Sequence, residues 1–306
     1  MTPIRHLDAD GDLLVRDGLI VAFFAQRPFA DLAAGVGAIF DEWLKALPPD
    51  TLQWASVGSG ADNLSEYTKK TLGRCRDQID PAKAAKRSLS AFTLQGPEAI
   101  NPAFRFEVSG NLDPKSGNVN KNNMVEVRFP TEFAAKSGFA DFSEMVVRMA
   151  AAVPFDSGYA SLALNFGSQV LLPQAAPIMA PLAMRHPGFD LHYNDLTRYQ
   201  LGIRSRGARW LTLLGPRVLK KLGKPATWQK ALTSGIDVLP AGDGLLLRAG
   251  PEPLPGDVNR KDNLPLLRAV AKAIEPVTCF DDNTVQRRFF RTEPDMADRW
   301  NRRFLD

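Results

Sequence analysis

The strongest constraint on the fold lies near the N-terminus, where an apolar run at residues 13–26 is followed at once by an amphipathic segment opening at Pro28. In that segment Phe29, Leu32, Ala33, Val36, Phe40, Trp43, Leu44 and Leu47 recur at spacings of three and four, which places them on one face of a helix. Pro28 suits the first turn of such a helix, and Pro48-Pro49 cannot continue it. The preceding run is interrupted by Asp17-Gly18, a pair that supplies the positive φ angles of a type I′ turn, so residues 13–26 are expected to form a β-hairpin. A hairpin handing directly to a one-faced helix calls for sheet and helix packed as layers.

The remaining chain extends this pattern. Apolar runs at residues 52–57, 87–94, 104–108, 124–129, 158–164 and 208–213 read as strands, and residues 236–239 and 244–249 read as a hairpin turning at Ala241-Gly242-Asp243. Residues 64–78, 131–152 (with a break near Gly138), 173–185, 216–222 and 227–232 read as helices. A last amphipathic helix opens at Pro265, with Asp262 or Asn263 as its cap, and stops at Pro276. Strands and helices do not alternate regularly, and hairpins dominate. The expected class is therefore α+β, with largely antiparallel sheet and packed helices. The expected organisation is a single domain over residues 1–306, with loosely similar halves 1–155 and 156–276 and a C-terminal extension 277–306.

A chain of 306 residues with 44% apolar and 24% charged side chains can bury a large core, so it needs neither metal nor disulfide staple, and its composition excludes general disorder. Cys75 and Cys279 read as reduced thiols of a cytosolic protein. The first apolar run has no basic segment before it and no cleavage site after it, and no run approaches the ~20 residues of a membrane span. The expected location is the cytoplasm. Charge is unevenly spread: residues 1–66 carry ten acids and four bases, whereas residues 198–230, from Arg198 to Lys230, carry nine bases and no acid.

Reactive groups are sparse. His186, Asp190 and His192 could begin a metal site, but no second cluster completes it, so no metal and no cofactor is expected. Gly58-Ser59-Gly60 has the wrong spacing for a nucleophile elbow and reads as a turn. Gly35-Val36-Gly37 lacks the third glycine of a dinucleotide loop and falls inside the first helix. Asp41-Glu42 and Asp281-Asp282 are adjacent acids whose side chains diverge on a helix. No catalytic residue is assigned. A hydrolase using His186 and Asp190 is the enzyme alternative. A nucleic-acid binder using the basic stretch, where Tyr199, Trp210 and Trp228 interleave with arginine and lysine, is a further and weaker one. Trp210 lies among Leu211 and Leu213 and reads as core.

The most distinctive stretch is residues 184–215. It contains His186-Pro187-Gly188-Phe189-Asp190 and Trp210-Leu211-Thr212-Leu213-Leu214-Gly215. With Gly158-Tyr159-Ala160-Ser161 before it, and Arg248-Ala249-Gly250 and Pro255-Gly256-Asp257-Val258-Asn259 after it, the ordered set resembles the type VI secretion immunity family labelled TsiV. The resemblance covers residues 158–276. It implies a cytoplasmic protein without catalytic activity that binds a cognate secreted toxin, a nuclease of restriction-endonuclease fold, and blocks its DNA-binding or active site. It also implies structural roles for His186, Pro187, Gly188, Asp190, Trp210, Gly215, Gly256 and Asp257. The stretch 203–209 is more basic than the family's usual segment. A nuclease offers a basic face, so the acid-rich first segment, in particular Asp8, Asp10, Asp12, Asp41 and Glu42, is the expected toxin-binding surface.

Overall fold

The computed structural model describes residues 3–58, 63–167, 169–280, 287–291 and 293–306. Gly58-Ser59-Gly60 lies in part, and Asp281-Asp282 wholly, outside the described residues. The strands are β1 (Arg5–Leu7), β2 (Leu13–Ala25), β3 (Trp54–Val57), β4 (Ser65–Glu66), β5 (Leu89–Gln95), β6 (Arg105–Asn111), β7 (Asn123–Phe129), β8 (Ser157–Phe166), β9 (Asp190–Leu191), β10 (Leu211–Leu214), β11 (Ile236–Ala241) and β12 (Gly244–Ala249). The helices of about two turns or more are α1 (Ala30–Ala46), α2 (Lys69–Gln78), α3 (Thr131–Ser137), α4 (Phe139–Ala152), α5 (Leu172–Arg185), α6 (Pro216–Leu222), α7 (Pro265–Ile274) and α8 (Pro294–Arg302).

The strands form one sheet of an α+β fold in the order β11-β12-β10-β8-β2-β7-β6-β5-β3-β4, with β1 beside β2 and β9 beside β8. Among the described strands, every pairing is antiparallel except β8 with β9. The long central strands β2 and β8 join the two halves of the chain, running from Val15 opposite Phe166 to Phe24 opposite Ser157. β9 and β10 occupy the same side of β8, one beyond the other: Ala163 faces Asp190, and Ala160 faces Leu211.

Residues 13–26 are not a hairpin. β2 is a single strand that runs straight through Asp17-Gly18. A Cβ on Gly18 would lie 2.4 Å from the Asn165 side chain and 2.9 Å from the Phe129 carbonyl, so the glycine permits close approach of neighbours rather than a turn. Asp17 is buried and held by its own contacts: it accepts from Ile4 N at 2.9 Å and from the Thr131 hydroxyl at 2.8 Å, and it pairs with Arg5. The turn that does occur here joins β1 to β2 at residues 8–12.

Alternation along the strands gives the sheet two buried faces. Leu19, Val21 and Phe23 of β2, with Phe106, Val127, Phe129, Leu162 and Leu164, pack beneath α1, α4 and α5. Phe289, Phe290, Ala297 and Trp300 join that same cluster, which makes the 277–306 extension part of the core where it is described. On the opposite face, α6 and α7 cover Leu214, Leu247 and Ala249 at one end. α3 and α4 break at Gly138, whose φ is +98°. Pro265 opens α7, but its cap is Leu264 in the left-handed region rather than Asp262 or Asn263. The hairpin β11–β12 turns at Gly242, with Ala241 opposite Gly244.

Candidate functional site

The second face of the sheet is polar in its middle. Alternation in β6 and β7 sets Arg105, Glu107, Glu126 and Arg128 on this side, next to Tyr159 and Asn165 of β8. Residues 190–209 lie across them and complete a connected network. Arg128 Nε donates to Glu126 Oε1 at 2.7 Å, and Asn194 Nδ2 donates to Glu126 Oε2 at 2.9 Å. Asn194 Nδ2 is also 2.9 Å from the Tyr159 hydroxyl, to which Arg206 Nη1 donates at 2.7 Å. Arg206 continues to Asp190 Oδ2 at 2.8 Å, while Arg209 Nε and Nη2 reach Asp190 Oδ1 at 3.1 and 2.7 Å. Both guanidinium groups sit over the Tyr159 ring, at 5.2 and 5.5 Å from its centroid. His192 Nε2 lies 2.8 Å from Asn165 Oδ1, with Nδ1 3.7 Å from Glu126.

Electrostatics follow from this geometry. Burial alone would raise the pKa of Asp190, but Arg206 and Arg209 outweigh it and hold the carboxyl well below the usual carboxylate range. Burial likewise opposes ionisation of Glu126, yet Arg128 and His192 bring its pKa well below the ordinary value. Burial lowers the pKa of His192 despite the nearby Glu126, so the ring favours its neutral form. Burial pushes the Tyr159 phenol upward. Asp190, His192, Tyr159 and Asn194 are all at most 1% exposed, so no substrate reaches them as they stand. The network ties the two halves of the chain together through charge.

His186 and Asp190 have different partners. His186 caps the end of α5, its backbone N donating to Leu182 O, and its Nδ1 is 2.5 Å from the Gly256 carbonyl. Arg185 forms a two-point pair with Asp257 at 3.3 and 3.0 Å, and Gly188 N donates to Pro255 O at 2.9 Å. The 185–188 and 255–257 segments therefore close on each other. A Cβ on Gly188 would meet Leu254 O at 1.9 Å, so only glycine lets the two backbones come this near. Pro187 supplies the carbonyl that accepts from Arg303 Nε at 2.9 Å. Trp210 stacks on Phe142 and donates its indole N–H to Gly250 O at 3.0 Å. Gly215 packs against the Phe155 carbonyl. Among the described residues, no group of three His, Cys, Asp or Glu side chains is arranged to hold a metal ion.

The five acids expected at the toxin contact fall into two groups. Asp8 Oδ1 accepts from the backbone N of Asp10 and Asp12, which folds the β1–β2 turn and leaves Asp10 and Asp12 exposed at its tip. On α1, Asp41 pairs with Arg76 at 2.8 Å, and Glu42 with Arg148 at 2.6 Å. The basic stretch is largely turned inward. Arg198 bonds Asp195 and Asn111, Arg204 bonds the carbonyls of Gln200 and Leu201, and Arg217 bonds Asp156. With Arg206 and Arg209 on Asp190, its five arginines are engaged internally, and Lys220, Lys221, Lys224 and Lys230 remain exposed. Trp210 and Trp228 are buried and cannot stack on bases.

The buried network is not visible in the sequence. Asp190, His192 and the basic stretch stand out there singly, but the strand half of the network shows only as charge at alternate positions, Glu126 and Arg128 after Met124, which ordinarily marks a solvated face.

The family model TsiV, described as type VI immunity for VRR-NUC, matches residues 36–304. The solved structure described as Pseudomonas aeruginosa T6SS protein PA0821 aligns with a TM-score of 0.78, covering 99% of this chain and 87% of that one at 19% identity. At that identity the likeness is one of fold. No curated protein matches the chain.

Proposed function

The chain belongs to the TsiV family of type VI immunity proteins, and from that premise we propose that it binds a VRR-NUC nuclease toxin and neutralises it by covering the surface through which the toxin meets DNA. The observation that carries this reading is the family match across residues 36–304. Inhibition then comes from shape and charge at the exterior, and the protein acts without turnover. No described helix is long and apolar enough to cross a membrane, which agrees with action in the cytoplasm, where a DNase finds its substrate. Asp8, Asp10, Asp12, Asp41 and Glu42 remain the proposed contact surface, with Asp10 and Asp12 the most available of them.

The test is co-expression with a VRR-NUC nuclease toxin. Protection of growth, with formation of a stable complex that stops DNA cleavage in vitro, is expected. A purified pair that neither associates nor slows cleavage would reject the reading. The hydrolase alternative predicts that His186→Ala abolishes protection; the geometry predicts that protection survives, because His186 meets a backbone carbonyl and not Asp190.

A further inference from the structure

The end of α5, the turn at residues 258–263 and helix α8 with the residues after it enclose a groove of about 580 Å³, which borders the buried network where Arg303 feels the charges of Asp190, Arg206 and Arg209. Its size is that of a pocket for a ligand or a peptide side-chain pair, which run from ~300 to ~1,000 Å³. One wall is apolar: Met184, Pro187, Val258, Trp300 and Phe304. Val258 is 50% exposed, and Leu254, whose carbonyl abuts the Gly188 turn, is 54% exposed, so apolar surface continues beyond the groove. Isolated apolar residues at a surface are common, but two of them beside a cavity give a partner apolar surface to cover.

The other wall is cationic. Lys261, Arg268, Arg299 and Arg303 line the groove against Asp262 and Asp306. Arg303 is the central group. Its Nε donates to Pro187 O and its Nη1 to Trp300 O, both at 2.9 Å, and its guanidinium carbon lies 3.8 Å from the Trp300 ring centroid and 4.4 Å from that of Phe304. Its Nη2 is buried and has no hydrogen-bond partner among the described residues. The same is true of the indole Nε1 of Trp300, a side chain only 1% exposed. Buried donors without acceptors are costly, and here two belong to adjacent side chains of one cavity. A planar guanidinium held over aromatic rings is well suited to a carboxylate.

We propose that this groove seats an acidic peptide segment of the toxin, with one carboxylate at the cationic rim formed by Lys261 and Arg299 beside Arg303, and a neighbouring apolar side chain against Met184, Pro187 and Val258. A free inorganic anion would use the cations but leave the apolar wall and the Leu254–Val258 rim uncovered. The source of the peptide rests on the proposed function; the chemistry of the groove does not.

The test combines two measurements. Calorimetry compares the VRR-NUC toxin binding to wild type and to the double variant Lys261→Glu/Arg299→Glu, which alters exposed rim residues and leaves the internal bonds of Arg303 intact. At least an about tenfold loss of affinity is expected, with an unchanged melting temperature, since rim charge reversal acts on the partner and not on the core. Equal affinity overturns the groove while leaving immunity standing. If wild type does not bind the toxin at all, the proposed function falls, and the groove is decided by the second measurement. There the blocked peptide acetyl-Leu-Asp-Leu-Glu-amide is titrated to millimolar concentration while tryptophan indole N–H resonances are followed, Trp300 being assigned by its loss in Trp300→Phe. A Trp300 shift that disappears in the double variant supports the groove, and an unmoved resonance overturns it.

Discussion

Asp190 is the residue on which most of the second face depends. It is fully buried and meets two arginines that are themselves about 5% exposed. Removing one partner of such a group is far worse than never having built it, because the remaining charges stay desolvated. Asp190→Ala is therefore expected to cost about 3–5 kcal/mol, a fall in melting temperature on the order of 10 °C. His186→Ala, which removes one hydrogen bond at a half-buried turn, should cost about 1 kcal/mol. Thermal unfolding of the two variants side by side checks this, and an Asp190→Ala protein that melts with wild type would show the network to be energetically idle. His192 gives a pH signature of its own. Burial depresses its folded pKa below the 6.5 of the free side chain, with Glu126, Arg128, Asp190 and Asn165 around the ring. The unfolded chain therefore binds the proton first. The contribution is complete above about pH 6.5 and is lost as pH falls from there toward the depressed value. Asp190 and Glu126, both held low, keep their contributions until more acidic conditions. Unfolding free energies from denaturant titrations between pH 7 and pH 5 should fall for wild type, by at most about 1.4 kcal/mol per pH unit, and His192→Gln should flatten that slope.

At the level of elements, the clearest test is β2. Gly18 faces the Asn165 side chain and the Phe129 carbonyl, so a methyl group there must displace backbone of β7 or break the Asn165 contacts. Gly18→Ala should destabilise by about 1–3 kcal/mol. Gly37, on the helix α1, has nothing within 4 Å of the place a methyl group would take, and should accept alanine with a gain of about 0.5–1 kcal/mol from helix propensity. In a turn Gly18→Ala would also be unfavourable, but its cost would come from a positive φ angle, whereas here it comes from the neighbours of Gly18. The contrast also explains what the sequence can and cannot disclose. α1 is legible because its apolar spacing is long and uninterrupted, and β11–β12 because Gly242 does sit at a turn. Trp210 is legible as core from Leu211 and Leu213 beside it. β2 is not, because the same dipeptide serves a turn in one setting and close packing in another, and the deciding atoms belong to Asn165 and Phe129, more than a hundred residues away. The polar face of β6 and β7 stays hidden for a related reason. Alternating charge marks one face of a strand but not whether water or another segment covers it, and the cover here comes from residues 190–209.

Across the whole molecule, folding redraws the charge map that composition suggests. The nine bases of residues 198–230 reduce to four exposed lysines once Arg198, Arg204, Arg206, Arg209 and Arg217 find internal partners. The acidic first segment shrinks as well: Asp17 is buried with Arg5, Asp8 folds its turn, and Asp41 and Glu42 meet Arg76 and Arg148. What stands free at the β1–β2 turn is Asp10 and Asp12. Exposed charges of this kind act over a Debye length, about 8 Å at physiological salt, and so alter encounter rates more than the lifetime of a formed complex. If this turn faces the basic surface of a nuclease, Asp10→Lys/Asp12→Lys should slow association by roughly three- to tenfold at low ionic strength and leave dissociation nearly unchanged. Wild-type association should slow as salt is added, because attraction is being screened, whereas the reversed variant should slow less or even quicken. The two should converge at high salt. Lys220→Glu/Lys221→Glu on α6 supplies the control for net charge, since it changes the total without touching the turn. Stopped-flow association with the toxin distinguishes the cases: a slope that moves only with Asp10 and Asp12 places the toxin over this turn, a slope that the α6 variant moves as far in the opposite sense reports overall charge, and rates unchanged by either pair exclude the acidic turn from the encounter.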